Sequence, residues 1–117
     1  MENLEEFFTS VGSSADDIIN RFGGSDALVK RFLGKFPNDS SFSLLENSLQ
    51  NSDTETAFRA AHTLKGVCAN LGIQTLYENA SEVTEYLRGG DLENAKKAFP
   101  ALSNEYASVL SKLKELL

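Results

Sequence analysis

The stretch DTETAFRAAHTLKGVCANLG, residues 53–72, decides the fold and contains the only histidine of the chain. Its apolar residues recur every three or four positions, which is the spacing of an amphipathic helix. Asp53 or Thr54 provides the N-cap, and Gly72 suits the left-handed conformation in which many helices end. The stretch therefore predicts one long helix over about 53–71.

The histidine lies on the polar side of this helix. If Leu64 marks the centre of the buried face and each residue advances by about 100°, an apolar arc extends roughly 60° to either side of it. The arc contains Ala57, Ala60, Ala61, Val67, Cys68 and Leu71. His62 falls roughly 160° from Leu64 and points into solvent. The helix phase therefore argues against a core histidine, although an ordinary polar surface residue remains an alternative.

The residues after His62 suggest a use for an exposed imidazole. Gly66 lies inside the helix, where glycine costs roughly 1 kcal/mol relative to alanine. Residue i+4 lies over residue i, so this glycine leaves room for a bulky group at the distal ring nitrogen of His62. Lys65, at i+3, places an ammonium where it can neutralise an anion on that nitrogen. These parts suit phosphoryl transfer, because neutral imidazole is a competent nucleophile near neutral pH.

Other parts of a complete phosphotransferase are not found in the sequence. The site lacks the acidic residues that would hold Mg²⁺, and there is no glycine-rich loop to bind nucleotide phosphates. No histidine and cysteine cluster has metal-ligand spacing, and a single cysteine excludes an internal disulfide. We therefore expect no cofactor, metal or ATP on this chain, and a Mg²⁺ ion on a partner protein.

Helical spacing also fills the sequence before the histidine helix, and no segment shows the alternation of a strand. Residues 1–24 predict a helical cover that includes a helix capped by Ser14. The next helical segment, residues 25–50, is interrupted at Pro37. We expect its apolar stripe to face the core, and this stripe contains Leu28, Val29, Phe32, Leu33 and Phe36.

After the histidine helix, a further helix ends at RGGD, residues 88–91. A short turn of helix at about 91–98 is then expected, because Pro100 fits the first turn of the last helix better than its middle. The chain is thus expected to contain four long helical segments joined by short connections. We therefore predict an all-α protein of one domain, residues 1–117, in which residues 25–117 form an antiparallel up-down four-helix bundle with a short N-terminal helical cover.

The motif around the histidine resembles that of the histidine-containing phosphotransfer (HPt) domains of bacterial phosphorelays. The family motif is close to A-H-x-L-K-G-x-x-x-x-x-G, and it is matched by Ala61, His62, Leu64, Lys65, Gly66 and Gly72. The sequence LYENASEVTEYLRGGD after the motif and the helix before it also look like the family. The resemblance implies that His62 accepts a phosphoryl group from an aspartyl phosphate on a receiver domain and passes it to another receiver, without ATP. It also implies that Lys65 stabilises the phosphoryl oxygens and that Gly66 gives access.

The resemblance further implies a phosphoryl carrier rather than an enzyme. Its partners would be response-regulator receiver domains, with a hybrid histidine kinase as a further candidate. In this family an apolar patch around the histidine docks the receiver, and here Phe58 and Ala69 are candidates for it, with Arg59 and Glu55 beside them. A position at the edge of the core, covered by the preceding helix, is the alternative for Phe58.

Two other functions compete with the phosphocarrier. The phosphoacceptor helices of a sensor histidine kinase usually carry an acid right after the histidine and a proline a few residues on, but Thr63 and Gly66 depart from that pattern. A non-phosphorylated four-helix adaptor would be expected to lack the histidine or its lysine and glycine neighbours. All three are present, so the phosphocarrier is preferred.

The composition of the chain indicates which partners and which compartment to expect. Seventeen acidic and eleven basic residues give a net charge of -6, which opposes nonspecific binding to nucleic acid or anionic lipid. No apolar run approaches the roughly 20 residues of a membrane span, and the start MENLEEFF carries acids where a signal peptide would carry basic residues. We expect a cytoplasmic protein, and a monomer because the seams of the bundle are filled internally.

Overall fold

The computed structural model describes residues 3–117, and within them every regular element is helical. The α-helices are α1 (Leu4–Ser10), α2 (Ala15–Arg21), α3 (Asp26–Lys35), α4 (Ser41–Gln50), α5 (Thr54–Leu71), α6 (Gln74–Arg88) and α7 (Leu92–Leu116), and a 3₁₀ turn over Phe36–Asn38 joins α3 to α4. The predicted all-α class is confirmed. Met1 and Glu2, with which the expected cover begins, lie outside the described residues.

Helices α4 to α7 form the bundle. Each packs against the next one in the chain, and short turns between them make neighbours antiparallel. Side chains of α4 and α7 close the ring, because the Phe42 ring stacks on Tyr106 with 3.9 Å between ring centroids. At the other end of α4, the Lys96 ammonium donates to the Ser52 hydroxyl. The histidine helix, α5, is thus held between α4 and α6.

Helices α1 and α2 cover the end of the bundle where α5 turns into α6. Phe7 and Phe8 are fully buried in the common core. The Ser13 hydroxyl donates to the Gly72 carbonyl, and the backbone N–H of Thr75 donates to the carbonyl of Val11. These contacts fix the C-terminal end of α5, which follows the histidine by about two and a half turns.

The predicted ends of the histidine helix are confirmed. The Asp53 carboxylate accepts a hydrogen bond from the backbone N–H of Thr56 at 3.1 Å and caps the first turn. Gly72 ends the helix with φ 72°, in the left-handed region. The backbone conformation therefore favours glycine here, and a Cβ would also require the end of the Ile18 side chain to shift.

The prediction of a break near Pro100 was wrong. Helix α7 runs without interruption over Leu92–Leu116, and Pro100 lies inside it. Proline in a helix interior costs about 3 kcal/mol, because it lacks the N–H that would reach the carbonyl four residues back. Both halves of α7 are nevertheless fixed by burial, since Ala95 and Leu102 are fully buried. Pro100 and Lys96 face solvent, where the freed carbonyl is tolerated.

The core-facing stripe of α3 is narrower than expected. Val29, Leu33 and Phe36 are buried, but Phe32 is 38 % exposed and Leu28 is only half-buried. Helix α3 is a short cover that buries one narrow arc, and Phe32 lies beside that arc rather than on it. Val67, expected in the core, is half-buried at the edge of α5 that faces α2 and α3 across a cleft.

Candidate functional site

His62 lies on the exposed face of α5, as its helix phase predicts. Its neighbours Ala61 and Leu64 on the opposite arc have no exposed surface, so they hold the helix against the core while the imidazole projects into solvent. Among residues 3–117, none forms a hydrogen bond or an ion pair with the imidazole. The ring nitrogens are therefore open to a group from outside the chain.

Gly66 leaves a gap on the side of His62 nearer the end of the helix. Apart from Lys65, Val67 and the backbone of the adjoining turns, no atom of the described residues lies within 4 Å of the position that a Cβ would take there. Lys65 precedes it on the half-buried flank of α5. The open volume over Gly66 therefore lies on the exposed face of α5, and Lys65 follows His62 by three residues on the same helix.

Phe58 and Arg88 form the wall on the α6 side of the histidine. The Phe58 ring lies 6.0 Å from the imidazole, centroid to centroid, with 20° between the two planes. The Arg88 guanidinium carbon lies 5.0 Å from the centre of the Phe58 ring. Phe58 is half-buried and packs against the core, and the cation on its ring comes from the following helix. Arg88 was missed by the sequence analysis, because only the packing of α6 on α5 brings it to Phe58.

The other predicted docking residues share the exposed face of α5. Glu55, Arg59 and Ala69 are all exposed, and no hydrogen bond or ion pair joins any of their side chains to another residue in the described part of the chain. The Ala69 carbonyl does accept a hydrogen bond from the Arg21 guanidinium at 2.7 Å. This bond anchors α2 to the last turn of α5.

An apolar cleft of about 400 Å³ opens on the side of α5 opposite Phe58, between this helix and helices α2 and α3. Phe22, Phe32 and Val67 contribute to its apolar lining, and the Phe22 and Phe32 rings lie 5.3 Å apart. The Lys35 ammonium lies 5.1 Å from the centre of the Phe32 ring. Sequence reasoning missed this cleft because it assigned Phe32 to the core, so the exposure of that ring gave no signal.

Positive charge is concentrated around the exposed face of α5, although the chain is acidic overall. Cations from three other helices and from α5 itself surround it, and they are Arg21, Lys35, Arg59, Lys65 and Arg88. Three acids lie among them, and they are Glu55 on the face itself, Asp39 at the cleft and Glu85 beside Arg88. An acidic partner surface would therefore meet a complementary charge here.

Cys68 is excluded as a second nucleophile. It is fully buried, and burial together with the nearby Asp39 charge raises the pKa of its thiol to about 12. The thiolate is the reactive form, so this side chain has a packing role. In residues 3–117, no group of three or more histidine, cysteine or acidic residues is arranged to hold a metal ion.

Comparison with known proteins adds one finding to this geometry. The family model described as Hpt domain matches residues 27–112, which include the whole of α4, α5 and α6 and most of α7. No curated protein and no solved structure gives a significant match to the chain. None of the helices in residues 3–117 has the length and apolar character needed to cross a membrane.

Proposed function

The chain belongs to the Hpt domain family, the phosphocarriers of phosphorelays, and on this premise we propose that His62 is the residue that carries the phosphoryl group. It accepts the group from the aspartyl phosphate of one receiver domain and passes it to the aspartate of another. The observation that carries the proposal is an exposed imidazole beside the open volume over Gly66. A nucleophile that must meet a phosphoryl group on another protein needs both features.

The reaction needs only one covalent exchange in each direction. The distal imidazole nitrogen of His62 attacks the phosphorus in line with the acyl phosphate bond, so an N–P bond forms as the P–O bond to the aspartyl carboxylate breaks. The carboxylate leaves on the receiver. In the reverse step the carboxylate of the second receiver attacks the same phosphorus, and the imidazole leaves with its lone pair restored.

Lys65 and Gly66 serve this exchange from the two flanks of the imidazole. The Lys65 ammonium stabilises negative charge on the phosphoryl oxygens, and the missing side chain at Gly66 admits the phosphoryl group and the receiver's acidic pocket. In the described part of the chain, no group of three or more histidine, cysteine or acidic residues is arranged to hold a metal ion. We propose instead that Mg²⁺ belongs to the receiver.

The receiver docks on the exposed face of α5. Phe58 and Ala69 supply apolar contacts on one side, with Arg59 and Glu55 at the rim, and the cleft beside Phe32 extends the apolar surface on the other side. The surrounding cations favour a partner with an acidic surface. The proposal includes a cytoplasmic monomer as the carrier and a hybrid histidine kinase among its partners.

The test is transfer of phosphate to the purified chain. Incubation with phosphoramidate, and separately with a phosphorylated receiver domain, should add the mass of one phosphoryl group, and brief acid treatment should remove it because phosphohistidine is acid-labile. The variant His62→Gln should stay unlabelled while its helical circular dichroism is unchanged. An adaptor would bind the receiver without gaining mass. Labelling that persists in the His62→Gln variant would overturn the assignment.

A further inference from the structure

Three side chains from two helices form a continuous stack beside the proposed nucleophile. Phe58 precedes His62 by one turn of α5, and its ring lies nearly parallel to the imidazole, with 20° between the planes and 6.0 Å between centroids. Arg88, the last residue of α6, places its guanidinium carbon 5.0 Å from the centre of the same phenyl ring. The phenyl ring is therefore in contact with a cation of the neighbouring helix as well as with the imidazole.

We propose that Arg88 and Phe58 form a clamp that fixes the orientation of the His62 imidazole for phosphoryl transfer. This inference rests on the proposed function of His62. Phosphoryl transfer depends on alignment, because the attacking nitrogen must point along the bond that breaks. In many sites a hydrogen bond to the second ring nitrogen sets the direction of a catalytic imidazole. Within residues 3–117 no such partner exists, so the stacking ring takes over that task.

Arg88 is held in position independently of Phe58. Its Nε donates to the Glu85 carboxylate at 3.2 Å, and Glu85 lies one turn earlier on the same helix. A cation in the last turn of a helix is also stabilised by the helix dipole. The guanidinium therefore reaches the Phe58 ring from a defined direction, and the cation–π contact restrains the ring from one side.

The stack of Arg88, Phe58 and His62 differs from a side chain that only covers the edge of the core. Phe58 is half-buried, so any apolar side chain of similar size would cover the underlying surface. Only a flat ring can stack on the imidazole and accept a cation on its π-system. A clamp therefore predicts that ring identity at position 58 and charge at position 88 matter to the chemistry at His62, while coverage predicts that they do not.

The experiment is a double-mutant cycle on the rate at which phosphoramidate labels His62. This small donor needs no docking surface, so a slower rate reports on the imidazole itself. We expect Phe58→Leu and Arg88→Met each to slow labelling about three- to tenfold, as contacts of this kind imply. Because the two residues act through one stack, the double variant should be no slower than the slower single variant.

Conservative variants and a matched control separate the clamp from a general loss of structure. Phe58→Tyr and Arg88→Lys, which keep the ring and the charge, should restore most of the rate. Lys97→Met is the control for Arg88→Met, because Lys97 is also exposed and paired with an acid of its own helix, but lies on α7. Nuclear Overhauser contacts between the Phe58 ring and the imidazole should weaken in the Arg88→Met protein.

The outcomes are distinct from those that test the function of His62. If the wild-type chain is labelled at His62 and both single variants label at the wild-type rate, the clamp is wrong and the phosphocarrier stands. Rates that fall only with a phosphorylated receiver as donor would likewise overturn the clamp, because they would assign Phe58 and Arg88 to docking. If the losses of labelling rate in the two single variants added fully in the double variant, a shared stack would be contradicted.

Discussion

Gly66 lies one turn after His62 on the exposed face of α5, and apart from Lys65, Val67 and the backbone of the same helix, no described atom lies within 4 Å of the place of its missing side chain. Nothing in the fold of residues 3–117 therefore uses this space. A glycine inside a helix destabilises it by roughly 1 kcal/mol relative to alanine, with no packing gain in return. A glycine at this position is explained if a group from another protein must enter beside the imidazole.

Filling that space should separate stability from transfer. We expect Gly66→Leu to raise the free energy of unfolding by up to about 1 kcal/mol, because leucine is a good helix former. The same change should slow transfer from a phosphorylated receiver by on the order of 10- to 100-fold, since the side chain displaces the donor from its aligned position. Urea unfolding measures the change in stability, and quenched time courses of transfer from the phosphorylated receiver measure the change in rate.

Gly34 supplies the matched control for Gly66. It lies in the last turn of α3, and a Cβ there would make only an ordinary contact with Leu117, at 3.7 Å. Gly34→Ala should therefore increase stability in a similar way and leave transfer unchanged. Equal transfer by the Gly66→Leu and wild-type chains would show that access over Gly66 does not matter.

The charge of Lys65 should matter to the transition state rather than to the fold. Hydrogen bonds to charged groups contribute about 1.5–3 kcal/mol, so Lys65→Met should slow labelling of His62 about 10- to 100-fold. The stability of the bundle should change little, because the side chain is only half-buried and joins no ion pair in the described residues. Lys97→Met on α7 should leave the rate as it is in the wild type. A normal rate in the Lys65→Met chain would remove this residue from the mechanism.

The features that sequence reasoning predicted are set by neighbours along the chain. The cap at Asp53, the left-handed end at Gly72 and the outward direction of His62 all depend on residues within a turn or two of the same helix. Local rules therefore sufficed for α5. They also gave the helical class, because every long segment repeats its apolar residues at helical spacing.

The features that it missed depend on contacts between helices. Pro100 stays inside α7 because burial on both sides of it outweighs a local preference for a helix start. Arg88 reaches Phe58 only through the packing of α6 on α5, and Phe32 is exposed because α3 buries a narrow arc. Apolar spacing gives the direction of a stripe, but it does not give the width of the surface that another helix covers.

Gly72 should be the glycine least tolerant of change. Its φ of 72° is unfavourable for residues with a side chain, and a Cβ would overlap the Ile18 side chain of α2. We expect Gly72→Ala to lower the free energy of unfolding by roughly 1–3 kcal/mol. Gly23→Ala is a useful comparison, since Gly23 also has a positive φ, of 73°, but no atom of the described residues comes within 4 Å of its Cβ position. If the two variants lost the same stability, the overlap with Ile18 would contribute nothing.

The cap of the histidine helix should make stability depend on pH in the acid range. Hydrogen bonds from the Thr56 hydroxyl and then the Thr56 backbone N–H lower the pKa of the Asp53 carboxyl below its ordinary value. The carboxylate therefore stabilises the folded state fully at pH values above its unfolded-state pKa, which is roughly 3.9. This contribution is lost as the pH falls through the lower pKa of the folded state. Asp91, which caps α7, behaves in the same direction because Asn94 lowers its pKa.

Replacement of Asp53 by asparagine isolates this effect. Asparagine is also a good N-cap but does not titrate, so Asp53→Asn should retain most of the stability at neutral pH and lose part of its decline in acid. Urea unfolding between about pH 2 and pH 7 gives the slope of stability against pH for both chains. The double variant with Asp91→Asn should have a flatter profile still. A single variant whose stability falls as steeply in acid as that of the wild type would mean that the Asp53 carboxylate does not stabilise the start of α5 through its charge.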